Sequence, residues 1–159
     1  MNVTETASNR VLLDLPEARG RVEVSGALGV VAKVEIDGER ARPQRGGWAI
    51  PLKSGGTDGR LVVKGFLPGF QRFMWKDDEV LRLGAHVGLA EKIAMFVPFL
   101  LIFAWVYLAP VSLVLFLMNV PVVKNPLMPR ALRIALPIIN TVAVFVGWIA
   151  IATLIGSRS

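Results

Sequence analysis

His86 is the only histidine of the chain, and there is no cysteine. A zinc site built on two imidazoles or on thiolates, a cysteine nucleophile and a disulfide framework are therefore excluded by composition. The groups left to do chemistry are carboxylates and guanidiniums. Asp77, Asp78 and Glu79 stand side by side and would attract a cation. Contiguous acids lack the alternating spacing by which a calcium loop aims its oxygens at one ion, so they are read as a solvated turn. Arg40, Arg42 and Arg45 cluster in GERARPQRGG (38–47); they suit lipid phosphates or an acidic partner, or simply a solvated loop. Gly46-Gly47 and GGTDG (55–59) match neither the dinucleotide nor the P-loop glycine pattern and read as turns. His86 falls in LGAHVGLAEK (83–92), at the start of a helical stretch. No nucleophile–base pair is visible, so neither an enzyme nor a bound cofactor or metal is expected.

The elements that carry these groups divide the chain into two solvents. All 12 acidic residues fall between Glu5 and Glu91, while the last 67 residues, from Ile93 on, carry only Lys124, Arg130, Arg133 and Arg158. Residues 1–92 hold 14 basic against 12 acidic residues, so most of the net charge of +6 flanks apolar sequence. That pattern suits a membrane surface and not a nucleic-acid footprint.

Residues 93–123 are uncharged over 31 positions, and residues 134–157 over 24. About 20 helical residues cross the ~30 Å hydrocarbon layer, so each run is long enough for a transmembrane helix. Between them lies NVPVVKNPLMPRALRIALP (119–137), with four prolines. Proline opposes helix continuation and pushes the preceding residue to extended geometry. The expectation is a helical hairpin: helix over 93–118, loop over 119–130, helix over 131–156, tail at 157–159. Pro98 and Pro110 predict kinks in the first run, or a split at Pro110 into a shorter span and a surface segment.

Neither run holds an Asp, Glu, Lys, Arg or His, which argues against a proton relay or ion-coupled carrier in a lone subunit. In the second run Ala143, Gly147 and Ala150 mark a small-residue stripe, with Asn140 its only amide. These four are the expected helix-packing interface, toward the first span or another chain. Arg130 and Arg133 are expected at headgroup level.

Residues 21–84 read as a small all-β domain of about six antiparallel strands, a sandwich or barrel. Residues 1–20 are expected to be a flexible or edge-strand segment, with RVLLDL (10–15) as the added strand, and 85–92 a linker into the first helix. Asp37-Gly38 predicts a hairpin turn, since that pair accepts positive φ. A faint repeat relates VEIDGE (34–39) to FMWKDDE (73–79), each after a glycine turn. GFLPGFQRFMW (65–75) supplies Phe66, Phe70, Phe73 and Trp75, either as core or as an aromatic patch toward headgroups or a partner.

The first 20 residues lack the pattern of a secretory signal, which favours a cytoplasmic amino terminus. Basic residues near the spans number three on the loop side and four on the other, close to a tie. Arg outnumbers Lys 12 to 6, a weak pointer to a bacterial chain. The expected protein is a two-pass inner-membrane protein with both termini cytoplasmic. It would serve as an accessory, assembly or regulatory subunit of a larger membrane complex, with the lipid bilayer and another membrane protein or further copies as partners. A homo-oligomeric pore gated by the β domain is the alternative.

Overall fold

The structure is a computed structural model that describes residues 9–44, 46–55 and 59–157. Arg45, most of the GGTDG loop and Arg158 lie outside the described residues. The chain separates into two compact units, at residues 1–85 and 86–159.

Among the described residues the first unit holds nine short strands in two antiparallel sheets, more than the about six expected from alternation alone. One sheet runs in sequence order through β1 (Arg10–Leu13), β2 (Val22–Ser25), β3 (Lys33–Ile36) and β4 (Glu39–Arg40). The other runs through β5 (Pro43–Gln44), β6 (Gly47–Ile50), β7 (Gly59–Lys64), β8 (Arg72–Trp75) and β9 (Asp78–Arg82). It is not a barrel. The inner faces of both sheets feed one core: Val11, Val22, Val24 and Val34 from the first, Ile50, Leu61, Phe73 and Leu81 from the second. The extra strands escaped the alternation pattern because β4 and β5 are two residues each and wholly exposed, too short to show a period.

Local turn chemistry builds both sheets alike. Asp37 and Gly38 both take positive φ and close β3 onto β4, as that dipeptide predicts. Lys76 and Asp77 do the same between β8 and β9, although neither is a glycine. The repeat read in the sequence is thus a repeat of devices: strand, glycine-bearing turn, strand, tight positive-φ turn. The acidic run Asp77–Glu79 is the exposed end of that second hairpin.

Phe73 and Trp75 point inward, and Phe73 stacks on Trp48 with ring centroids 5.9 Å apart. The Trp75 ring lies over Gly59, where an added Cβ would come within 2.1 Å of it. Only a glycine fits beneath that ring.

In the second unit the first apolar run does not form one helix over 93–118. Helix α1 spans Leu89–Phe96, a 3-10 turn carries Pro98, and α2 spans Leu100–Ala104. Trp105 is then fully extended (φ −151°, ψ 122°). After a further 3-10 turn, α3 spans Ala109–Lys124 and α4 spans Arg130–Gly156. The break precedes Pro110 by five residues. In an unbroken helix the Pro110 ring would clash with the carbonyl four residues back, whereas in the first turn of α3 it sacrifices no hydrogen bond.

The loop is also shorter than 119–130. α3 runs through Pro121, where burial of Val120 and Val123 outweighs one lost backbone bond. It stops at Asn125, held extended by the following Pro126. The Asn125 side chain accepts from Leu127 N–H and its carbonyl from Met128 N–H, a compact turn that returns the chain into α4.

Gly59→Ala forces the methyl into the buried Trp75 ring. The expected outcome is destabilisation of the β unit by about 1–3 kcal/mol, the usual range for overpacking, read as a lower unfolding temperature by tryptophan fluorescence of the full chain in detergent.

Candidate functional site

Helices α1, α3 and α4 meet at one end of the second unit, and the charged groups among its described residues collect there. Contacts along the legs fix their directions. Glu91 of α1 reaches Arg130 at the start of α4. Phe96 and Phe99 pack on Phe116 of α3 at 5.1 and 5.3 Å between centroids. Trp105 packs on Phe145 and Trp148 of α4. The leg from 89 to 104 therefore runs parallel to α4 and antiparallel to α3. The chain enters this unit at the same end as the Asn125–Pro129 turn.

Four features build the polar junction. His86 Nε2 lies 3.1 Å from the Lys124 carbonyl, which can only accept, so Nε2 carries the proton and the ring satisfies one of the terminal carbonyls that α3 leaves open. Glu91, in the first turn of α1, sits where the helix dipole favours a negative charge. It is 2% exposed and accepts from Arg130 Nε at 3.0 Å. Gly88 makes room for this pair: a Cβ there would lie 2.7 Å from Glu91 Oε2 and 3.4 Å from an Arg130 nitrogen. Lys124 is buried at the C-terminus of α3, the end that favours a cation. Buried polar atoms without a protein partner complete the set: Glu91 Oε2, both amide atoms of Asn119, and Nε and Nη1 of Arg133.

Arg130 and Arg133, expected at headgroup level, both lie at this junction, with a buried carboxylate beside Arg130. Sequence reading left Glu91 in a linker. Its usable signal was its place as the last acid of the chain, three residues after a glycine that can begin a helix. Among the described residues no three His, Asp or Glu side chains gather to hold a metal ion. The junction gathers cations at one end of an apolar unit.

The other expected contact residues are scattered. Ala143, Gly147 and Ala150 lie on the exposed face of α4, and a Cβ on Gly147 would meet nothing within 4 Å. The inward face of α4 instead carries Pro137 and Thr141, with Trp148 half-buried, so the small-residue stripe does not pack on the chain's own first run. Asn140 is half-buried. In the β unit Phe73 and Trp75 are core, Phe70 is half-buried and Phe66 is fully exposed.

Removing Arg130 leaves the buried Glu91 carboxylate uncompensated, and removing Glu91 empties the space that it fills beside Gly88 and Arg130. Glu91→Ala and Arg130→Ala are each expected to destabilise the helical unit by about 1–3 kcal/mol. The double variant should cost less than the two losses added, by about 0.5–3 kcal/mol. Thermal unfolding in detergent followed through Trp105 and Trp148 measures this, and strict additivity would remove the pair as the clamp.

Comparison with known protein families, with curated proteins and with solved structures finds no match to this chain, so the functional reading rests on the residues themselves.

Proposed function

We propose that this chain is an integral membrane protein of the inner membrane that works by association, as an accessory, assembly or regulatory subunit carrying a β unit at the membrane face. Segments 106–124 and 130–156 are long and apolar enough to cross a bilayer. One observation carries the reading. Leu113, Val114, Ile138, Val142, Val146 and Ile151 are exposed along α3 and α4, while every charged side chain of the described part of this unit sits at one end. A water-soluble fold would leave that apolar surface uncovered, and lipid covers it. The hydroxyls of Ser112 and Thr141 bond back to Leu108 and Pro137 carbonyls four residues earlier, which meets their needs without water.

The direction of the legs also supports a sidedness. The near-tie between loop side and opposite side assumed that residue 92 and the loop lie on opposite faces. With α1 running parallel to α4, Lys92, Lys124, Arg130 and Arg133 share one face, and only Arg158 follows α4. By the positive-inside rule that face is cytoplasmic. The β unit, joined to residue 86, lies on the same side, and α4 ends on the opposite one. We propose this orientation in place of the one with both termini in the cytoplasm that a plain hairpin implies. Trp105 and Tyr107, at the far turn, suit an interfacial aromatic belt.

The chain has no cysteine, so single-cysteine variants report position directly. Lys53→Cys and Leu127→Cys should react with an impermeant maleimide only in inverted vesicles, and Ser157→Cys only in right-side-out ones. Labelling of residues 127 and 157 from the same face would overturn the sidedness. A strictly monomeric particle without a bound protein, after mild-detergent purification at native expression, would overturn the subunit role.

A further inference from the structure

We infer that the outer face of the β7–β8–β9 sheet, at the end bearing the Gly65–Gln71 loop, is a docking surface for anionic phospholipid headgroups, with Phe66 as its inserting tip; the inference rests on the membrane reading above. The register pairs Lys64 with Arg72 and Arg72 with Arg82. Directly paired residues of adjacent strands point to the same face, so three cations form one row. The row beside it, Val63, Phe73 and Leu81, faces inward, with Phe73 and Leu81 in the core, and Lys64, Arg72 and Arg82 are all exposed. The acidic residue near them is Glu79, which makes a long 3.6 Å contact with Arg72 in solvent; such exposed pairs are worth little.

Like charges set side by side on neighbouring strands repel, a cost that folding alone gives no reason to bear. An anionic surface turns that repulsion into attraction. The loop beside the row adds an apolar element. Leu67-Pro68-Gly69-Phe70 forms a tight turn in which Phe70 N–H bonds the Leu67 carbonyl at 3.0 Å and Gly69 takes φ +80°, the geometry of a Pro-Gly type II turn. This stiff turn holds Phe66 outward at 101% relative exposure. A fully exposed phenyl ring beside three cations is the pairing by which peripheral surfaces bind membranes, the ring at the headgroup–acyl boundary and the cations on phosphates.

Chain continuity points the same way. Leu83 N–H bonds the Gln71 carbonyl, so the chain leaves the β unit at this end. Only Leu83, Gly84 and Ala85 separate Arg82 from the helical unit, a span of at most about 14 Å of extended chain whatever the orientation of the two units. The charged row is therefore tethered close to the bilayer surface that the helices define.

The test uses the full chain in lipid nanodiscs, with Leu67→Cys carrying an environment-sensitive fluorophore and nitroxide-labelled lipids as quenchers. In discs rich in phosphatidylglycerol the fluorophore should be quenched several-fold more than in phosphatidylcholine discs. High salt, the triple variant Lys64→Gln/Arg72→Gln/Arg82→Gln, and Phe66→Ser should each reduce that difference. Quenching of Trp105 and Trp148 in the same samples reports whether the helices are in lipid. Lipid-exposed helices with residue 67 in water in both disc types would overturn the docking surface and leave the membrane reading intact. Equal protection of residue 67 in both disc types would also overturn it, in favour of a protein contact. Failure of the helices to enter the discs would overturn both.

Discussion

The ion pair between Glu91 and Arg130 joins the first turn of one helix to the first turn of another, and the course of the second unit follows from it. A carboxylate that is 2% exposed must have a charged or hydrogen-bonding partner close by, because an isolated buried charge is far costlier than any apolar contact it displaces. The partner comes from the far side of the Asn125–Pro129 turn. This brings the beginnings of α1 and α4 together, and with Trp105 packed on Phe145 and Trp148 the leg from 89 to 104 runs parallel to α4. The His86 bond to the last carbonyl of α3 closes the same junction from the third helix. Everything apolar then extends away from one polar end.

That segregation is what a bilayer demands of a protein. Hydrocarbon solvates neither charge nor open backbone groups, so a membrane-embedded unit must place its charges at an end and its backbone in helices. Trp105, extended between α2 and the next 3-10 turn, is the exception away from the polar end, and its ring is packed against Phe145 and Trp148 instead of standing alone. The proposed membrane function draws on this economy of polar groups. The proposed headgroup contact of the β unit extends the same logic outward, since a row of cations and one bare phenyl ring are unfavourable in water and favourable at an anionic interface.

The β unit reaches its form by local means. Two-residue turns with positive φ at both positions, Asp37-Gly38 and Lys76-Asp77, match the twist of the strands they join, and each sheet is a succession of neighbours in sequence. What is not local is the packing of one sheet on the other through Val24, Ile50, Leu61 and Phe73. The Trp75 ring over Gly59 shows how tightly that layer is filled.

Much of this was legible in the residues. Alternation located β2, β3, β6, β7, β8 and β9, the Asp-Gly pair announced its turn, and RVLL was an edge strand as its pattern suggested. Uninterrupted apolar runs announced helices apolar enough for a membrane, because hydropathy and period are properties of the chain itself. Tertiary structure decided the rest. Proline signals at 110 and 121 were ambiguous, since a proline can start, kink or sit within a helix, and only packing selects among these. Burial of Val120 and Val123 carried α3 past Pro121, and docking of Trp105 moved the break ahead of Pro110. Which of Phe66, Phe70, Phe73 and Trp75 is core depended on the sheet opposite. Whether Ala143 and Gly147 face a neighbour depended on which side of α4 the other helices occupy. Direction and facing are relations between distant segments, and the free energy that sets them exists only once those segments touch.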